Sequence, residues 1–216
     1  MALHQLLLFV VAGLLLNLTP GPDVLYVVTH ALKSGARAGI VAAFGITAGC
    51  FVHIFAAAVG VSALLAASAT AFALLKWIGA AYLVWVGIRM LRSSAPSAMD
   101  LETQAPGLDR KADLRSVFFR GFATNALNPK VVLFFLAFLP QFIEPAIEHK
   151  SLAFLLLGLL FNFNGLWVNI GWALAAAGLS RRVAVVRTSM HWLERAAGAM
   201  FLGFGLKLAL SDNPSR

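Results

Sequence analysis

Of 216 residues, 60% are apolar and only 12% are charged, and the mean hydropathy is +0.84. A soluble domain of this length could not hide that much apolar surface, so the excess faces lipid. The net charge of +8 would suit a polyanion partner in a soluble protein, but here its meaning depends on where the basic residues fall.

A spanning helix needs roughly 20 apolar residues. No charged residue occurs from Met1 to Pro22, from Ala38 to Leu75 or from Ser151 to Ser180. The middle stretch is too long for one helix and breaks at Ala67-Ser68-Ala69-Thr70. Spans are expected near 5–29, 40–66, 71–92, 117–142, 152–178 and 195–211. The first lacks a basic leader region and a small-residue cleavage site, so it is expected to be a retained helix.

Within that first span, Asn17-Leu18-Thr19-Pro20-Gly21-Pro22-Asp23 cannot form regular helix. Pro20 and Pro22 lack amide donors and clash with the preceding turn, and Gly21 gives no helical support. Such backbone survives in a bilayer only where protein or a wet cavity satisfies it. The restarting helix presents free N–H groups and a positive dipole end near Asp23. Asp23 can simply favour that helix start, with Pro22 at the first helical position. It is also a carboxylate inside a span, which is costly and usually retained for a task.

The second span carries Gly45-x-x-x-Gly49 and then His53, four apart on one face. Glycines at that spacing let helices approach closely. His53 reads as a hydrogen-bonded packing histidine or as a proton carrier. Cys50, the single cysteine, reads as a small buried packing residue and excludes paired-thiol chemistry within one chain.

The polar stretch 93–116, with Pro96, Pro106 and Gly107, is expected to be a flexible linker. In the fourth span Asn125-Ala126-Leu127-Asn128-Pro129-Lys130 repeats the logic of the first. Asn128 suits a helix cap and Pro129 the next position. Lys130 then lies in an apolar run, either snorkelling to the interface or serving a site. It matches Asp23 in position, an arrangement that suits an ion pair or a zwitterion site. The fifth span places Asn162, Gly165 and Asn169 on one face, gluing helices or lining a passage. Trp77, Trp167, Trp172 and Trp192 lie near span ends and are expected as interfacial anchors.

Three spans lie on each side of the linker, and the two triplets share a plan. Gly21-Pro22-Asp23 parallels Asn128-Pro129-Lys130. Gly79-Ala80-Ala81-Tyr82-Leu83 with Gly87 parallels Gly198-Ala199-Met200-Phe201-Leu202 with Gly205. With three spans per half, the second copy enters from the opposite side. The expected architecture is therefore an all-α integral membrane protein of about six transmembrane helices. It is a 3+3 inverted repeat with helices 1 and 4 broken, its halves 1–92 and 117–216 joined by the 93–116 linker.

With the N-terminus outside, twelve Lys and Arg residues fall on the cytoplasmic side against four outside, with Lys130 inside a span. Basic loops of that kind follow the positive-inside rule, so both termini are expected outside and no nucleic acid is needed to explain the charge. There is no nucleotide-binding loop and no metal-ligand or nucleophile spacing. No cofactor and no enzymatic activity are expected, and uphill transport would draw on an ion gradient.

Asn17-Leu18-Thr19-Pro20-Gly21-Pro22-Asp23, the run Gly35-x-x-x-Gly39 through Gly45-x-x-x-Gly49 to His53, and Asn128-Pro129-Lys130 with Phe138-Leu139-Pro140-Gln141-Phe142 together resemble the LysE/RhtB family of bacterial amino-acid exporters. The likeness covers nearly the whole chain. It implies an inner-membrane exporter of amino acids or close derivatives such as threonine, homoserine or homoserine lactone, driven by protons. The expected partners are that small substrate, protons and lipid, with a homo-oligomer left open. An exporter of a cation or other solute, or a non-transport membrane subunit, are the alternatives. A zwitterionic cargo needs an acceptor for its ammonium, for which Asp23 is placed, and donors for its carboxylate. The helix-start amides at Pro22 and Pro129 and the Lys130 ammonium are the donors on offer. Thr19, Asn17, Asn125, His53, Asn162 and Asn169 complete the expected site. Proton coupling would follow if Asp23 loses its proton to bind the ammonium and regains it afterwards.

Overall fold

The computed structural model describes residues 3–61, 69–92, 113–143, 147–178 and 183–210. The 93–112 part of the linker, Ala67-Ser68, Arg181-Arg182 and both chain ends lie outside the described residues. Every regular element described is a helix.

Helix α1 (Leu3–Leu18) stops where Pro20 withholds its amide, and α2 (Pro22–Ser34) restarts with Pro22 at its first position. The two are bent by 51° at the break. Gly35 both ends α2 and begins α3 (Ala36–Ala56) in a one-residue corner at φ +83°, a left-handed conformation natural to glycine. A π-helical stretch, Ala57–Val61, prolongs α3. Helix α4 covers Ala69–Arg92.

The second half begins with α5 (Leu114–Ala126), capped by Asp113, whose Oδ1 accepts from the Arg115 amide at 3.0 Å. Helix therefore starts three residues before the expected span, because the cap rather than hydropathy sets its beginning. After a break at Leu127-Asn128 comes α6 (Pro129–Leu133), continuing through a π-helical turn (Phe134–Phe138) into a 3₁₀ turn (Leu139–Phe142). The bend from α5 is 43°. Helix α7 (Lys150–Gly178) is unbroken, and α8 runs from Val183 to Leu210. The last helix thus begins twelve residues before the expected span at 195. Hydropathy reports the lipid-crossing portion, whereas helix continues through the charged stretch around Arg187, Glu194 and Arg195.

Among the described residues, Ala36–Gly60 and Lys150–Gly178 are each long and apolar enough to cross a membrane, as are the two bent pairs α1–α2 and α5–α6. Helices α4 and α8, of 24 and 28 residues, are long enough by the helical rise of about 1.5 Å per residue. Among the described residues four passages thus meet both length and apolarity, and α4 and α8 meet length.

Apolar side chains point outward as well as inward. Leu152, Leu156, Phe163 and Trp167 form an exposed stripe along α7, while its Asn162 and Asn169 are each only 5% exposed. This is the pattern a lipid solvent selects. Trp77, Trp167 and Trp192 are exposed, consistent with lipid-facing positions. Trp172 is not an anchor: at 9% exposure it packs in the core with Val27, Val28 and Ala173.

Glycine sets the closest approaches. Gly45 of α3 lies directly on the Phe118 carbonyl of α5, and Gly49 on that of Phe122. Between α4 and α8, a Cβ on Gly87 would meet the Gly198 carbonyl at 2.7 Å, and one on Gly205 would meet the Ala80 carbonyl at 3.0 Å. Gly87 and Gly198 thus face one another in an antiparallel helix pair, with Gly205 against Ala80 and Val84. Two apolar clusters fill the interior. One is built on Phe9, Phe134, Phe135, Phe138 and Phe154, the other on Val24, Val27, Val28, Ile46 and Trp172.

Candidate functional site

A cavity of about 30 Å³, room for roughly two waters, opens where both helix breaks meet, and residues of both apolar clusters border it. Its polar lining comes from α1 and its break (Asn17, Thr19, Gly21), from α2 (Asp23), from α3 (Thr47, Cys50), from α5–α6 (Asn125, Asn128, Lys130) and from α7 (Asn162, Asn169).

Each charge at a helix restart is held by the other half of the chain. Asp23 Oδ2 accepts from Asn125 Nδ2 at 2.8 Å. Asp23 Oδ1 is buried and accepts no hydrogen bond of ordinary geometry among the described residues. The Asn128 side chain approaches the same carboxylate as a hydrogen-bond partner, and Lys130 and His53 lie within electrostatic reach of it. Lys130 Nζ donates to the Leu16 carbonyl at 2.9 Å and to the Thr19 carbonyl at 3.0 Å. Sequence explains the first bond: the helical partner of the Leu16 carbonyl would be the amide of residue 20, and Pro20 has none. Lys130 therefore does not snorkel; it caps the C-terminal end of α1, where a cation is favoured.

The two restarts differ. At α6, Asn128 Oδ1 accepts from the Lys130 amide at 3.0 Å, and the Asn128 carbonyl accepts from Val131 and Val132, each at 3.1 Å. The amides behind Pro129 are thus already partnered within the turn, against the expectation that they stand free for a ligand. Gly21 has no side chain with which to cap α2, which leaves its first-turn amides at Asp23 and Val24 without that internal acceptor. Pro22 and Pro129 shape the breaks without lining the cavity.

His53 stands one layer back. Its Nε2 lies 2.9 Å from the Asn125 carbonyl. A carbonyl only accepts, so Nε2 carries the proton there. The same carbonyl also accepts from the Asn128 amide at 2.8 Å, so His53 helps satisfy the backbone that the break releases.

On α7, Asn162 Nδ2 donates to the Thr47 carbonyl at 3.2 Å, while Asn169 Oδ1 is buried without a partner among the described residues. Asn17 Nδ2 reaches the Phe161 carbonyl at 3.3 Å, and Asn17 packs over Gly165, whose Cβ would sit 3.1 Å from Asn17 Oδ1. The asparagine face of α7 therefore both binds helices together and lines the space. Sequence reasoning missed Thr47 and read Cys50 as packing alone, although both line the cavity. Their spacing of three, next to the Gly45–Gly49 face, was the available signal, since residues three apart share a helix face.

A family model described as LysE type translocator matches residues 14–212. A membrane protein of Vibrio cholerae is 35% identical over 209 residues, covering 97% of this chain and 98% of its own. A homoserine/homoserine lactone efflux protein of Salmonella typhimurium is 33% identical over 202 residues, 93% of this chain and 94% of its own. A leucine efflux protein of Salmonella choleraesuis is 26% identical over 201 residues, 93% and 92% respectively. No solved structure matches. The match takes in both helix breaks and every residue around the cavity, and the chain belongs to the LysE type translocator family.

Proposed function

We propose that this protein exports amino acids or close derivatives, of the threonine, homoserine or homoserine lactone type, across the bacterial inner membrane in exchange for protons. The observation that carries the reading is the cavity at the meeting of two broken helices. It holds the half-buried Asp23, whose Oδ1 is enclosed, beside Lys130, Asn125, Asn128 and, from α7, Asn162 and Asn169.

A zwitterion carried bare into such surroundings would cost several kcal/mol or more per charge. Asp23 and the C-terminal carbonyls of α1 offer acceptors for an ammonium. The first-turn amides of α2 offer donors for a carboxylate, with the positive end of the helix dipole behind them. The Salmonella typhimurium relative is named for both homoserine and its lactone. Those two differ in whether a free carboxylate exists and share the primary ammonium, which favours the ammonium as the anchoring group. A cation exporter would be served by several carboxylates around one ion; here the cavity carboxylate has a lysine for company.

The two halves, 1–92 and 117–216, are read as an inverted repeat. Supporting this, each restart charge is held by the other half, and the contacts of α4 with α8 are reciprocal: Gly87 on Gly198 and Leu202, Gly205 on Ala80 and Val84. Rocking of one half against the other would expose the cavity to each side in turn. The space holds fewer heavy atoms than an amino acid carries, so cargo binding requires its walls to part. Coupling arises if Asp23 gives up its proton to receive the ammonium and takes one back after release.

Inside-out vesicles carrying the protein should accumulate a labelled amino acid from a panel of threonine, homoserine, homoserine lactone and leucine when a proton gradient is imposed. Collapse of the gradient should abolish the accumulation. Accumulation of none of the panel, with the protein intact in the membrane, contradicts the reading.

A further inference from the structure

Helix α1 ends in carbonyls that its own following backbone cannot satisfy. Pro20 removes the donor due to Leu16, and Pro22 removes the one due to Leu18. A primary ammonium from the other half of the molecule sits on this end, Lys130 Nζ at 2.9 Å from the Leu16 carbonyl and 3.0 Å from that of Thr19. Its side chain lies across Gly21, where a Cβ would stand 3.5 Å from Nζ and 3.6 Å from Cδ. Leu16, Thr19, Gly21 and Lys130 all line the cavity, as does Asp23, whose Oδ1 is buried.

We propose that the carbonyls of Leu16 and Thr19 are the docking site for the cargo's primary ammonium, and that Lys130 and the cargo occupy this site in alternation. The inference rests on the proposed export of ammonium-bearing cargo and gives Lys130 a role apart from holding a carboxylate.

The chemistry of the two occupants is the same. An α-ammonium and a lysine ammonium each bring one positive charge and three N–H donors to two carbonyls at the negative end of a helix. Both cannot be there together, because two like charges within hydrogen-bond distance of the same carbonyls repel. Arriving cargo therefore dislodges Lys130, which already lies within electrostatic reach of Asp23 and can turn toward it. When cargo leaves, Lys130 swings back and again covers the carbonyls, which in a membrane interior would otherwise stand bare. The lysine thus acts as an internal competitor, and it fixes what the site selects: a primary ammonium, whatever the rest of the molecule.

The test uses the full-length protein in detergent with ethylammonium as the probe and tetramethylammonium, which has the charge but no N–H, as the control. Thermal unfolding is followed for wild type and for Lys130→Met, which keeps the length of the side chain and removes its charge. Ethylammonium at a concentration that saturates the variant should raise its melting temperature by about 2–4 °C and that of wild type, where Lys130 competes, by clearly less. Tetramethylammonium should move neither. If Lys130→Met is not monodisperse, Lys130→Gln replaces it with the same expected pattern. Equal stabilisation of wild type and variant, no stabilisation of the variant, or an equal effect of tetramethylammonium overturns the proposal. Homoserine, homoserine lactone and leucine are run alongside. If ethylammonium stabilises the variant while none of them does, the ammonium site stands and the assigned cargo is wrong.

Discussion

Asp23 and Asn125 meet at 2.8 Å across 102 residues of sequence, the carboxylate accepting from the amide. Lys130 makes the return connection to Leu16 and Thr19. The residue that restarts each broken helix is thus tied to the end of the first segment of the other. Helices α2 and α6 cannot shift against α5 and α1 without breaking a charge-assisted hydrogen bond, which are the stronger kind. A change of occupant or of protonation at this crossing is therefore felt by both halves at once.

His53 supports that crossing from behind. His53→Leu removes the donor to the buried Asn125 carbonyl, and the loss should cost about 1–3 kcal/mol of stability. The pH dependence of export should keep its shape, because the imidazole contacts backbone and does not line the cavity. A flattened pH profile in His53→Leu, with the fold intact, would show instead that this histidine carries the proton.

Gly49 sits against the Phe122 carbonyl, and its Cβ would also lie 3.0 Å from the Cβ of Asn125. Gly49→Ala should push α3 off α5, displace Asn125 from Asp23 and destabilise the protein by about 1–3 kcal/mol. Gly171→Ala on α7 is the control, because nothing lies within 4 Å of its Cβ position, and it should be neutral or slightly stabilising. Thermal unfolding and export measured on both variants check the contrast; equal behaviour would mean that the α3–α5 contact is not tight.

The lopsided distribution of basic residues predicts that both termini lie outside and the 93–116 linker in the cytoplasm. Cysteines introduced at Ser97 and Ser211 should react with a membrane-impermeant thiol reagent from opposite sides. Labelling of Ser97→Cys in intact spheroplasts would reverse the orientation.

The parts of this molecule that sequence made legible are those set by missing atoms. Pro20, Pro22 and Pro129 lack amide hydrogens, so the two breaks follow from covalent structure alone. The expense of a charge in lipid likewise drew attention to Asp23 and Lys130. What sequence did not disclose depends on partners distant in the chain. That Lys130 would cap α1, or that His53 would serve the Asn125 carbonyl, cannot be read from either residue's neighbours. Trp172 looked like an interfacial anchor because it lies near a span end, yet its side chain is buried in the second apolar cluster. The free amides expected at Pro129 were missed for a local reason: Asn128 is long enough to fold back on the Lys130 amide, and Gly21 at the matching position has no side chain to do so. The early start of α8 is a difference between two properties, helix continuation and lipid crossing, which hydropathy treats as one.

Under the proposed function Asp23 joins cargo binding to proton movement, and Asp23→Asn separates them. The substitution keeps the size of the side chain and its capacity to accept from Asn125 while removing charge and titration. Purified protein in proteoliposomes, given a cargo identified from the amino-acid panel, is assayed for transport driven by an imposed proton gradient. Asp23→Asn should lose at least about tenfold in gradient-driven transport, equivalent to about 1.4 kcal/mol or more, while inserting and unfolding like the wild type. Wild-type rates of gradient-driven transport in Asp23→Asn would mean that this carboxylate only favours the start of α2, and that coupling resides elsewhere.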